Sequence, residues 1–198
     1  MTSFDLVTRV FGIVLALAVS ELLKGFARLW RIRHGVEETA GPPIHVGWLV
    51  PLLGVFILLD QVTFWFNFGH IGPHVPSTLF GLAGFMAVVG AYFGLSTFVF
   101  PADVKAWPDF DAYYFKVRGI VIGGLLAVNC VGVAYEVGLV AAGMELGDAG
   151  DGDGLVSFLM TLVTAALLVG LLFANGRRTS LALLAGAIVF TLASDLPF

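Results

Sequence analysis

The sequence predicts an all-α polytopic membrane protein, a single domain built as a bundle of six transmembrane helices, and three observations predict it. First, 59% of the 198 residues are hydrophobic and 12% are charged, and the mean hydropathy is +0.97. Soluble domains run at roughly 45–50% apolar and about 25% charged, so this chain lacks the charge to cover a water-facing surface. Second, its apolar runs are continuous and reach about 20 residues, the length that spans roughly 30 Å of hydrocarbon at 1.5 Å per residue. Barrel strands would alternate at period two, which these runs do not. Third, the basic residues recur in every second connection. The composition excludes a soluble enzyme, a disordered chain and a nucleic-acid binder. The lone cysteine, Cys130, excludes an internal disulfide and a multi-cysteine metal site.

The six expected spans are residues 6–29, 45–68, 78–100, 119–142, 155–175 and 180–196. The third and fifth contain no charged residue, and the sixth is short. Lys24, Arg28, Arg31 and Arg33 fall on the first connection, Lys105, Lys116 and Arg118 on the third, and Arg177 and Arg178 on the fifth. The second connection has no Lys or Arg, and the fourth carries Glu145, Asp148, Asp151 and Asp153. The positive-inside rule therefore places the odd connections in the cytoplasm and both termini outside (N-out, C-out). Arg9 followed by residues 11–18 imitates a signal peptide. The apolar pattern, however, continues through Leu22, Leu23, Phe26, Leu29 and Trp30, which favours a retained first span.

Within the first span Glu21, Lys24, Arg28 and Arg31 recur at helical spacing. Lys24, Arg28 and Arg31 are expected as a cytoplasmic, lipid-facing basic stripe, because anionic headgroups attract basic side chains at about 1 kcal/mol each. The stretch 35–43, with Glu37, Glu38 and the Pro42-Pro43 pair, reads as an exposed linker. Asp109 is expected to N-cap a short interfacial helix leading into span four, with Tyr113, Tyr114 and Phe115 at the level of an aromatic belt.

Polar groups inside the membrane are costly and face the bundle interior. Arg9, Asp60, Gln61, Asn129 and Glu136 fall at compatible depths, Asp60 in the outer half of span two and Glu136 in the outer third of span four. They are expected as one intramembrane cluster, either a packing salt bridge with Arg9 neutralising a carboxylate, or an ion or ligand site. Residues 57–62 and 126–131 align as a faint repeat that matches Asp60-Gln61 with Asn129-Cys130. Gly12, Gly54, Gly84, Gly123 and Gly124 read as sites of close helix contact. Phe64-Trp65-Phe66 reads as lipid- or core-facing surface that would also suit a flat hydrophobic ligand. No metal site is expected. His34 and His45 lie on the opposite side from His70 and His74, and the acidic turn 148–154 lacks the end ligands of a calcium loop. No nucleophile–base pair, cofactor motif or phosphate loop is visible, so the chain is not read as an enzyme and no cofactor is assigned.

Leu22-Leu23-Lys24-Gly25-Phe26-Ala27-Arg28-Leu29, Asp60-Gln61 with Phe64-Trp65-Phe66, and Phe98-Val99-Phe100-Pro101 followed by Asp111-Ala112-Tyr113-Tyr114-Phe115 carry a resemblance over about the first 120 residues. In these features the chain resembles a widespread group of small polytopic bacterial inner-membrane proteins with no assigned function. The resemblance implies a multi-pass protein of the bacterial inner membrane and brings no catalytic residue. Two functions are expected from the sequence. One is a non-enzymatic accessory or binding subunit packing against another membrane protein, a lipid or a hydrophobic cofactor. The other is an oligomeric channel or carrier for protons or small cations, using Asp60 and Glu136. The partners expected are the bilayer and a membrane complex or second copy of the chain.

Overall fold

The computed structural model describes residues 3–36, 44–75, 78–144 and 153–194. Of the linker 35–43 and the acidic turn 148–154 read from the sequence, residues 37–43 and 148–152 lie outside the described residues. The described chain is helical: α1 (Ser3–Arg33), α2 (Leu49–Ile71), a single 3-10 turn (Gly72–His74), α3 (Leu79–Val99), α4 (Phe110–Ala141), α5 (Asp153–Phe173) and α6 (Arg177–Ser194). Four stretches are long and apolar enough to cross a membrane: Thr8–Arg33, Leu49–Gly69, Leu79–Val99 and Phe110–Ala141. The described apolar part of α5 is shorter, Leu159–Phe173, and α6 opens on two arginines.

Local chemistry sets the ends of these helices. Thr78 caps α3, its hydroxyl accepting from Gly81 N at 3.2 Å, and Pro101 bars continuation beyond Val99. Asp109 caps α4 by accepting from Asp111 N at 2.9 Å, as expected from the sequence. Both α1 and α4 stop in Schellman motifs. Val36 N donates to Arg31 O and Gly35 N to Ile32 O; Met144 N donates to Leu139 O and Gly143 N to Val140 O. Gly35 and Gly143 supply the left-handed φ, +67° and +75°, that these turns require.

Two expected boundaries are corrected. His45 lies outside span two, because its backbone pairs with the start of α4 and the helix begins only at Leu49. His45 N donates to Pro108 O at 2.7 Å and Phe110 N donates to His45 O at 3.1 Å. The interfacial helix expected before span four is not a separate element but the first turns of α4. No proline interrupts residues 110–141, and glycine costs a helix only about 1 kcal/mol per residue. Burial of Tyr113, Tyr114, Val117, Val121 and Ile122 on one continuous face outweighs Gly119, Gly123 and Gly124.

Helix α2 is the central helix. It packs against α1, α3, α4 and α6, while α3 also meets α1 and α4, and α5 joins α4 to α6. Half of the most apolar window of α2 is buried, against less than a third in α1, α3 and α4. The core runs through Leu53, Phe56 and Ile57 of α2, Leu95 and Val99 of α3, Ile122 and Leu125 of α4, Leu168 and Leu171 of α5 and Leu184 of α6. A second, aromatic cluster gathers Phe64, Trp65, Phe68 and Phe85 around the fully buried Phe11.

Candidate functional site

Asp60 sits midway between the ends of α2, Leu49 and Ile71, about 16 Å from each at 1.5 Å per residue. Because α2 begins and ends later than the expected span, Asp60 moves from the outer half of the span to its centre. Its carboxylate accepts from Tyr92 Oη of α3 at 2.7 Å and from Asn129 Nδ2 of α4 at 3.4 Å. Asn129 Nδ2 also donates to Leu125 O at 3.0 Å, which makes the 3.4 Å contact the weaker of its two. The neighbouring Gln61 donates from Nε2 to Ser96 Oγ at 2.8 Å, and Ser96 donates on to Tyr92 O at 2.8 Å. Asp60, Gln61, Tyr92 and Ser96 are all buried. A buried polar group left unpaired costs about 1–3 kcal/mol, so these bonds fix how α2, α3 and α4 meet. Gln61 Oε1 is buried without a hydrogen-bond partner among the described residues.

Three of the five residues expected as a cluster therefore share one layer, and two do not join it. Arg9 lies on an exposed face of α1, and among the described residues no hydrogen bond or ion pair links it to Asp60 or Glu136. Glu136 is half-buried, two turns beyond Asn129 on α4, about 10 Å along the axis. The expected Arg9–carboxylate salt bridge is replaced by Tyr92, a neutral donor on the adjacent helix. Tyr92 and Ser96 escaped the sequence reading because span three was judged by its lack of charge. Their i, i+4 spacing in an otherwise apolar helix was the available signal. The faint repeat brings its matched positions Asp60 and Asn129 together, whereas Gln61 is buried and Cys130 exposed.

One turn from this layer, toward the His74 end of the bundle, a partly open apolar cavity of about 270 Å³ lies between α2, α3 and α4. Phe64, Val88 and Gly132 in its wall are the residues one turn along from Asp60, Tyr92 and Asn129. Phe68, Phe80 and Phe85 line it further, and Tyr135 closes one side by donating to His74 O at 2.9 Å. In the other direction the next layers, Leu53 and Phe56, Leu95 and Val99, Val121 and Leu125, are apolar and buried.

The glycines divide accordingly. A methyl group on Gly54 would come within 2.8 Å of Phe26, and one on Gly124 within 2.5 Å of Leu95, so both serve close helix contact as expected. At Gly84 and Gly123 the same methyl meets nothing within 4 Å, and close packing does not explain them. Gly132 is equally open, and Gly84 and Gly132 border the cavity.

At the opposite end, Asp111 is buried between elements. Its Oδ1 accepts from Leu49 N at 3.3 Å, capping α2, whose own Trp48 provides no side-chain cap. Its Oδ2 lies 2.6 Å from Arg177 Nε of α6. His45, Asp109 and Asp111 bring three ligand-type atoms within 4.8 Å of one another, but the Leu49 amide and Arg177 already engage both Asp111 oxygens. This is a clamp joining α2, α4 and α6. Arg118 performs a similar service for α5, donating to Ala174 O and to Asn175 Oδ1, a cation at a helix C-terminus. The basic stripe is only partly surface. Lys24 is exposed and pairs with Glu21 at 2.8 Å, and Arg31 is exposed. Arg28 is partly buried and donates to Ala102 O at 2.8 Å, tying α1 to the α3–α4 connection at the surface.

No family model, curated protein or solved structure matches this chain.

Proposed function

We propose that the chain is a six-span bacterial inner-membrane protein with both termini outside, and that it serves as a non-enzymatic accessory subunit that holds a lipophilic molecule within the bundle. The observation that carries this reading is the apolar cavity standing over a polar layer whose bonds to Asp60 close within the bundle. Native mass spectrometry of gently extracted protein tests it. Extra mass from a bound lipophile, or a heteromeric mass, is the expected result. A bare homo-oligomer would overturn the binding reading.

The buried carboxylate at mid-helix favours a second reading, an oligomeric proton or cation channel using Asp60 and Glu136. Against it stand the apolar layers toward the Asp111 end, which offer a moving ion no polar lining. The orientation rests on the basic connections. In a Cys130→Ser background, Thr78→Cys should react with a membrane-impermeant maleimide in intact cells, and Lys105→Cys only after the membrane is opened. The reverse pattern would invert the topology.

A further inference from the structure

We infer that the cavity between α2, α3 and α4 is a binding site for an uncharged, flat, unsaturated lipophile of isoprenoid type. The inference rests on the binding-subunit reading and names its ligand class. Ring side chains dominate the lining: Phe64, Phe68, Phe85 and Tyr135 in the wall, and the exposed Phe80 at its open edge. Aromatic faces and edges favour other π systems over saturated chains. The one side-chain polar atom of these five, Tyr135 Oη, is spent on His74 O, so among the described residues these rings offer no free hydrogen-bond donor to a charged head.

The walls are also preorganised. Phe11, fully buried, stands behind them with ring centroids 5.7, 4.8 and 5.4 Å from Phe64, Phe68 and Phe85. An apolar cavity of about 150 Å³ stays dry and admits benzene. About 270 Å³ therefore has room for a ring or a short run of isoprene units. Gly84 and Gly132 complete the argument. Glycine disfavours a helix and here serves no close contact, so its effect at these two positions is to leave the space open.

The test uses the full chain in nanodiscs of phosphatidylethanolamine and phosphatidylglycerol, photolabelled with a diazirine-bearing farnesol and, separately, a diazirine-bearing palmitic acid. The farnesol probe should mark peptides containing Phe64 and Phe68 and those containing Val131 and Tyr135. That labelling should fall at least ten-fold in Gly84→Trp and in Gly132→Leu, which fill the cavity from facing helices. It should persist in Val189→Phe, on an exposed face of α6. Equal marking by the palmitic acid probe would overturn the isoprenoid assignment. Farnesol labelling insensitive to both filling variants would overturn the site. Native masses of the same variants separate this failure from failure of the wider reading. A bound lipophile that persists in Gly84→Trp leaves the binding-subunit reading standing without this cavity, and no bound mass in the wild type removes both.

Discussion

Replacing Asp111 by alanine should lower the stability of the protein by about 1–3 kcal/mol, the cost of leaving a buried polar group without its partner. The carboxylate does two jobs at once, capping the N-terminus of α2 and pairing with Arg177 of α6. Its removal leaves the first amide of α2 without an acceptor and breaks the ion pair between α4 and α6. Arg177→Ala should cost at least as much, since it leaves the buried Asp111 carboxylate without its counter-charge, whereas Asp111→Ala leaves an arginine half in contact with solvent. The double variant should cost less than the sum of the two, as expected for residues in direct contact. Gly47 supplies an independent check. A methyl group there would overlap the Asp111 carboxylate, and its φ lies outside the left-handed region, so its lack of a side chain is a matter of space. Gly47→Ala should therefore imitate Asp111→Ala in the wild-type background and be close to silent once Asp111 is alanine. Thermal unfolding of the wild type and these five variants in one detergent reads all of these outcomes. Equal losses for Gly47→Ala in both backgrounds would show that the carboxylate is not what the glycine accommodates.

The Asp111 clamp also marks where sequence reading runs out. Helix existence was legible because hydropathy alone determines which segments avoid water, and caps were legible where the capping residue adjoins its helix, as Asp109 does. Asp111 was invisible as a cap because it serves a helix far away in the chain, and the sequence of α2 carries no trace of the partner it lacks. The same physics moved the start of α2. Residues 45–48 are apolar enough to extend a span, but both backbone groups of His45 pair with residues 108 and 110 instead. Charge was a poor guide to partners. Asp60 was expected to meet Arg9, the nearest opposite charge by depth, yet a neutral tyrosine on the adjacent helix satisfies it at 2.7 Å. Of the cavity only the aromatic run 64–66 was legible, while Gly84 reads from the sequence as a close helix contact, because an open volume is a property of three helices together and of no single segment.

The Asp60–Tyr92 pair should show the second large effect, and it separates binding from conduction. Tyr92→Phe removes the short hydrogen bond on a buried carboxylate and leaves only the 3.4 Å contact from Asn129; it should cost about 1.5–3 kcal/mol. Asp60→Leu leaves the buried Tyr92 hydroxyl without its acceptor and should cost about 1–3 kcal/mol. The double variant Asp60→Leu with Tyr92→Phe replaces both partners by apolar groups, so neither polar atom is orphaned, and it should be more stable than Tyr92→Phe alone. A double variant no better than the singles would mean that Asp60 is held by something other than this bond. The same proteins in proteoliposomes address function. If the layer only fixes how α2, α3 and α4 pack beneath a ligand cavity, wild type and double variant should leave proton permeability at the level of empty vesicles, and a lipophile should still copurify with the double variant. A wild-type proton flux abolished by Asp60→Leu would instead make the carboxylate a conduction site, and the apolar layers between it and Asp111 would then have to open for a proton to pass.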